Sequence, residues 1–258
     1  LLAEGVGDSI RVSLSEDPEL EVPVAQKLVE YICSREGHAP IAGSEYEGYN
    51  HIQPERRSSV AVADVVGARR QPVTVASYAP AQVAGKLKPD FYFVADGNAD
   101  AACRCIVPAE KYCGADNTFP LFDADAIADA VRCQAPMVWL KVPADTPIAV
   151  LEPLRGADRV VLVATPASVN VPGSLQAMLH GLMAAGIDCP VVPLCSYADA
   201  DKEWLQVKAG ADMGTLLLNG FRDGVWVEAP NYALPDDVVS LEYGILQAAR
   251  LRMSKTEF

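Results

Sequence analysis

Residues 137–164 read MVWLKVPADTPIAVLEPLRGADRVVLVA. The runs at 137–142 and 160–164 are short and rich in Val and Leu. They do not alternate with polar residues, which is the pattern of strands buried on both faces. Between them, residues 148–154 carry apolar groups at helical spacing. A strand, helix and strand in this order make a parallel pair with a right-handed crossover.

The same grammar extends outward. Apolar runs at 60–66, 73–77, 91–95, 191–195, 215–218 and 225–227 bring the strand candidates to eight. Helical periods fall at 124–133, 174–185, 202–209 and 236–252. Eight strands in about 200 residues predict an α/β fold, a (β/α)8 TIM-barrel-like domain, with irregular or incomplete closure left open. An open doubly wound sheet is the alternative. The first half is the weak part: no helix separates the first two strands, and residues 97–120 show no period. The last helix is well marked. Pro235 suits its first turn, Asp236 and Asp237 face its positive end, and Arg250, Arg252 and Lys255 lie toward its negative end. Along its apolar stripe, Glu242 is the exception.

Before residue 59 the pattern differs. Residues 9–14, SIRVSL, alternate with period two and read as a strand. Asp17-Pro18 opens a helix whose stripe is Val22, Ala25, Leu28, Val29 and Ile32, and Gly37 ends it. With no sheet of its own to cover, that helix is expected to expose apolar surface and favour dimerisation, swapping or disorder. Residues 38–58 lack periodicity and read as a linker.

Composition bounds the function. The chain has 258 residues, 21 Lys+Arg against 34 Asp+Glu, and half its residues are hydrophobic, which excludes a disordered chain. A net charge of −13 argues against nucleic acid and anionic membrane as partners. The uncharged run 160–187 is interrupted by Pro166, Asn170, Pro172 and Gly173, so it reads as strand, turn and helix, not as a membrane span. The opening LLAEGVGDSI has no basic leader, which suits a cytoplasmic protein, and the absence of an initiator Met suggests a piece of a longer chain. Seven cysteines, at 33, 103, 105, 113, 133, 189 and 195, are scattered and odd in number, as expected of reduced thiols. Cys103, Cys105 and Cys113 lack a CxxC pair or a nearby His, so no metal site is expected of them.

One internal echo stands out. Residues 1–12, LLAEGVGDSIRV, align without gaps on 216–227, LLLNGFRDGVWV. In the first copy Ser9, Arg11 and Ser13 share a strand face. An Arg fork beside a hydroxyl can grip phosphate. In the second copy those positions are Gly224, Trp226 and Glu228, so a second phosphate grip is not expected there.

The run GVGDSIRVSLSEDPELEVPVAQKLV at the front resembles the last strand and helix of the catalytic barrel in the 4-hydroxy-3-methylbut-2-enyl diphosphate synthase family. ILQAARLRMSKTEF at the end resembles the segment just before that family's cysteine-rich motif. The spacing is that of the large, three-domain form. The resemblance implies that residues 1–37 end the catalytic barrel, 38–58 link, and 59–258 form an inserted barrel. It implies a parent enzyme that reductively opens 2-C-methyl-D-erythritol 2,4-cyclodiphosphate in non-mevalonate isoprenoid synthesis. A [4Fe-4S] cluster on three Cys and one Glu, fed by ferredoxin or flavodoxin, would do the chemistry. None of the seven cysteines here matches the cluster motif, so this chain would hold no cofactor and no catalytic residue. Arg11 and Ser13 carry over as substrate-binding residues. The insert would be a spacer whose partners are the catalytic barrel and the cluster domain of the same parent chain. Its acidity argues against docking an acidic ferredoxin itself.

The alternative is a self-contained barrel enzyme using Asp96, which ends the strand FYFVAD; Asp96-Gly97-Asn98 is equally good turn chemistry. His38, His51 and His180 are isolated, and His180 sits in an apolar helix as a packed residue. Arg56-Arg57 and Arg69-Arg70 read as solvated loop charges. Gly5-x-Gly7 lacks the third glycine of a dinucleotide fingerprint.

Overall fold

The computed structural model describes residues 2, 9–13, 17–43 and 45–253. Ten strands are present among them: β1 (Ala61–Val62), β2 (Val66–Gly67), β3 (Val73–Ala76), β4 (Phe91–Phe93), β5 (Cys105–Pro108), β6 (Thr118–Asp123), β7 (Val138–Pro143), β8 (Val160–Thr165), β9 (Val191–Ser196) and β10 (Gly224–Glu228). The helices are α1 (Glu21–Cys33), α2 (Ile127–Arg132), α3 (Ile148–Leu151), α4 (Val171–Ala184), α5 (Lys202–Leu218) and α6 (Pro235–Ala248). Strands β3 to β10 form a closed barrel in sequence order. Every neighbouring pair is parallel, and β10 bonds both β9 and β3. The expected barrel is therefore present and closed.

Its membership differs from the sequence expectation in two places. Residues 60–66 are not a barrel strand. They begin an antiparallel hairpin, β1 with β2, turned at Ala63 and Asp64, both in the left-handed region at φ 47° and 55°. Two such residues in a row match the twist of a tight hairpin. Val62 and Val66 are fully buried among the barrel's inward residues, and Val60 N–H donates to the Asp188 carbonyl. The hairpin thus stoppers the N-terminal end of the barrel. Residues 215–218 are the last turn of α5, not a strand. Gly210 and Gly214 interrupt the apolar pattern, but Leu205, Ala209, Met213, Leu216 and Leu217 keep one face buried throughout, and that packing outweighs about 1 kcal/mol of lost propensity per glycine.

The two places are filled by β5 and β6, from the stretch without a period. Pro108 and Pro120 within them read as breakers. Pro120 is tolerated because it pairs in register with Val107 in a parallel ladder whose other bonds persist. No α-helix separates β3, β4, β5 and β6; only the 3-10 turns Pro80–Gln82 and Ala109–Lys111 do. The barrel is closed but its first half is irregular.

Residues 9–13 form no strand, and Leu14 lies outside the described residues, as do Gly5, Gly7, Asp8 and residues 254–258. Helix α1 forms as expected but is not left unpartnered. Lys27, Tyr31 and Arg35 fasten it to α5, while Leu20, Val22 and Val29 stay exposed. The described residues of 38–58 contain no helix or strand, yet they lie against the barrel flank. Tyr49 meets His180 edge-on at 4.6 Å between ring centres and donates from its hydroxyl to the Asn219 carbonyl at 2.9 Å.

Candidate functional site

In a parallel barrel, chemistry belongs at the C-terminal mouth. The inward positions here are Val75, Phe91, Phe93, Ile106, Phe119, Leu121, Trp139, Val161, Val163, Leu194 and Trp226. Trp139 and Trp226 are essentially inaccessible. Their rings meet edge-on at 6.4 Å; Phe93 lies 5.6 Å from Trp226 and Phe91 5.0 Å from Trp139. These aromatics fill the upper interior. Trp226 fits because its polar edge is satisfied: Nε1 donates to Ser77 Oγ at 2.8 Å, and Ser77 donates to Glu228 Oε1 at 2.7 Å. Below it, Gly224 shares the inward phase, and a Cβ there would lie 2.8 Å from Val73 Cγ2. The triplet Gly224, Trp226 and Glu228 is thus a packing device. It offers no donor fork for an anion.

Arg11 and Ser13 are exposed, with Ile10 and Val12 half-buried between them. The two-face alternation survives without a sheet around it. A cleft of about 650 Å³ lies between residues 39–43 with Glu45 and the loops after β7 and β8. Its lining includes Glu45 and Asp145 and no Lys or Arg, which is the wrong sign for a diphosphate.

Asp96 makes a turn. It accepts from Asn98 N–H at 3.0 Å and Asn98 Nδ2 at 2.9 Å, with Gly97 at φ +80°. Those bonds hold its carboxyl below the usual carboxylate range, which opposes general acid–base duty near neutral pH. His180 is buried, accepts from Tyr46 N–H at 3.2 Å on Nδ1, and titrates below its usual value because burial disfavours the charged ring. His51 pairs with Glu45 on the surface, and His38 contacts Asn170.

The arginine pair at 56–57 corrects the reading of solvated charges. Arg57 is buried and donates to the carbonyls of Cys189 at 2.9 Å and Ile187 at 2.6 Å. Arg56 donates to the Arg70 carbonyl at 2.7 Å and to Asp223 Oδ1 at 3.2 Å. Asp223, also buried, accepts from Ser59 Oγ and Val191 N–H as well. Asp223 is the echoed aspartate, so the echo marks a hub that ties the preceding segment to the barrel floor. Arg70 does lie on the surface, paired with Asp64.

The resemblance implies a [4Fe-4S] cluster, and the thiols present do not suit one. Cys105, Cys189 and Cys195 are buried. Cys189 donates to backbone carbonyls, and burial raises its thiol to about 12. Cys195 is pushed up further by the same cause. A cluster needs thiolates that converge. Among the described residues, no three His, Cys, Asp or Glu side chains come together as a metal site.

Two buried carboxylates are the groups sequence reasoning located least well. Glu242 showed itself only as a break in a stripe. Asp212 gave no signal, because a single Asp in a helix with glycines looks solvent-facing. Both are fully buried.

These features define a class: a closed, TIM-barrel-like domain of eight parallel strands with an aromatic-filled interior, against which the preceding helix and segment are tightly fastened. Comparison with known proteins supplies the particular. Along its whole length the chain is 36% identical to the 4-hydroxy-3-methylbut-2-en-1-yl diphosphate synthase (flavodoxin) of Parabacteroides distasonis and 36% to that of Phocaeicola vulgatus, spanning 43% of each. It is 35% identical to the enzyme of the same name from Porphyromonas gingivalis, spanning 40% of it. The chain thus spans less than half the length of the curated relatives it matches. It is homologous, end to end, to one part of those synthases, as the residues at its two ends indicated. No family model matches it. No helix among the described residues is long and apolar enough to cross a membrane.

Proposed function

We propose that this chain is part of a 4-hydroxy-3-methylbut-2-enyl diphosphate synthase and that its barrel is a non-catalytic spacer. The parent would reductively convert 2-C-methyl-D-erythritol 2,4-cyclodiphosphate in the cytoplasm. The reacting [4Fe-4S] cluster would be carried outside this chain. Flavodoxin is the favoured electron donor, since the relatives' names include it. In this reading residues 1–37 end the catalytic barrel, where Arg11 and Ser13 bind the diphosphate: the guanidinium supplies two parallel donors and the hydroxyl a third. Both side chains are exposed and available to a ligand brought by the rest of the parent.

The observation that carries the spacer role is the packed aromatic interior of the barrel. A barrel enzyme keeps room above its core for a substrate. Here Trp226, braced by Ser77 and Glu228, fills the interior just below that level, and the one strand-end acid singled out, Asp96, is committed to a turn. The test is deletion of residues 59–230 from the full-length protein, anaerobic reconstitution and product assay. The spacer reading expects turnover to vanish while cluster content is retained. Turnover by a monomeric deletion variant would overturn it.

A further inference from the structure

A spacer works only if its ends are held in fixed directions. The chain reaches the barrel through α1 and leaves it after α6, and an arginine–carboxylate pair sits at each place.

At the entry, Arg35 follows α1 and is buried. Its Nη2 donates to Asp212 Oδ1 on α5. Asp212 Oδ2 accepts from Tyr31 of α1 at 2.6 Å and from Tyr197, after β9, at 3.0 Å. The Arg35 guanidinium lies 4.3 Å over the Tyr31 ring. Lys27 extends the seam to Glu203 and to Asp201 at 3.6 Å. One carboxylate on the barrel's longest helix thus gathers donors from the incoming helix, from the residue just past its end and from a strand end.

At the exit, α6 closes with Leu251 N–H on the Leu246 carbonyl at 2.9 Å and Arg250 in the left-handed region at φ 58°. The turn aims Arg252 back under the barrel. Its two terminal nitrogens fork onto Asp90, one of them at 3.0 Å, and Nη1 also reaches the Pro72 carbonyl at 3.2 Å. Asp90 Oδ2 accepts from Thr74 N–H of β3 at 2.8 Å. The Tyr243 ring lies 4.8 Å from the guanidinium.

Ion pairs withdrawn from water, almost wholly at Arg35–Asp212 and in part at Arg252–Asp90, add little net stability, but they admit few geometries, because other arrangements strand a charge. A forked, ring-stacked arginine narrows the choice further. We propose that Arg35–Asp212 and Arg252–Asp90 are positioning pairs that make the barrel a rigid strut, fixing the segment before it and the segment after it at one separation and one angle. This rests on the spacer reading and assigns the residues that enforce it.

The test uses the full-length protein, spin-labelled once before residue 1 and once after residue 258. Variants are Arg35→Met, Asp212→Asn, Arg252→Met and Asp90→Asn. The expected result is a broadened inter-label distance distribution, with kcat lowered about tenfold or more and KM unchanged, since loosened positioning costs rate before it costs binding. Cluster absorbance and far-ultraviolet dichroism should stay as in the parent. Where Arg35→Met does not fold, Arg252→Lys at the partly exposed exit carries the comparison; it keeps the charge and loses the fork. Unchanged distance distributions, or unchanged kcat with broadened ones, would overturn the proposal. The spacer reading fails separately, by retained turnover on deletion of 59–230. Abolished turnover on deletion together with unchanged distances in the variants would overturn the pairs alone.

Discussion

Glu242 offers the most informative perturbation. It lies on α6 and is wholly buried against β10. Val227 N–H donates to its Oε1 at 2.8 Å, while Oε2 has no partner. Burial, with a smaller push from Asp90, raises its pKa well above the ordinary 4.5, and the single bond from Val227 offsets this only in part. The folded state therefore holds a proton that the unfolded chain releases above that ordinary value. The stability contributed is complete below the unfolded pKa and is lost as pH rises through the folded one. Within that window the loss is about 1.4 kcal/mol per pH unit, the value of one proton. Glu242→Gln keeps an oxygen for Val227 and cannot ionise. The two proteins should be of similar stability at the acid end. The variant should then gain on the parent by up to about 1.4 kcal/mol for each pH unit in the window. Glu242→Leu should instead lose about 1–3 kcal/mol relative to Gln at every pH, because Val227 N–H is left unpaired. Urea unfolding of all three across pH 5 to 8 reads both effects, and taking differences cancels the other titrating groups. A Gln-minus-Glu difference that is flat in pH would refute the reasoning.

Other outcomes follow from the same geometry. Asp223→Ala should cost about 3–5 kcal/mol in chemical denaturation, because it strands the buried Arg57 and leaves Val191 N–H and Ser59 without their acceptor. Trp226→Ala should cost about 3–5 kcal/mol by emptying the upper interior, read as a lowered Tm. Iodoacetamide with mass spectrometry should modify Cys33 and Cys113 in the folded protein and spare Cys105, Cys189 and Cys195 until denaturant is added. Asp96→Asn in the full-length enzyme should leave kcat unchanged and the protein folded; a hundredfold fall in kcat would restore the catalytic reading of that residue.

The fold was legible where burial on both faces wrote itself as Val and Leu. Strands β7, β8, β9 and β10 and helices α1, α4 and α6 stand close to where periodicity puts them. The count of eight barrel strands was right with two wrong members. Hairpin β1–β2 is as apolar as a barrel strand because it stoppers one, and the end of α5 is as apolar as a strand because it covers one. Composition cannot tell these apart. Strands β5 and β6 were hidden by their prolines, whose cost is set by ladder partners that sequence does not display.

For the functional residues the division is sharper. Two short runs at the ends of the chain sufficed to point to its relatives, because local sequence is what homology preserves. Arg11 and Ser13 are proposed on the resemblance of that front run, and the structure leaves both exposed. Sequence also determined that Trp and Glu replace Arg and Ser in the second copy. That Trp226 fills the barrel interior, that Arg57 is buried, and that Asp212, Asp223 and Asp90 gather donors from far along the chain were decided by tertiary structure alone. Asp212 and Arg35 are separated by 177 positions. A carboxylate's worth depends on which donors folding brings to it and on how much water folding removes, and neither is written in its immediate neighbours.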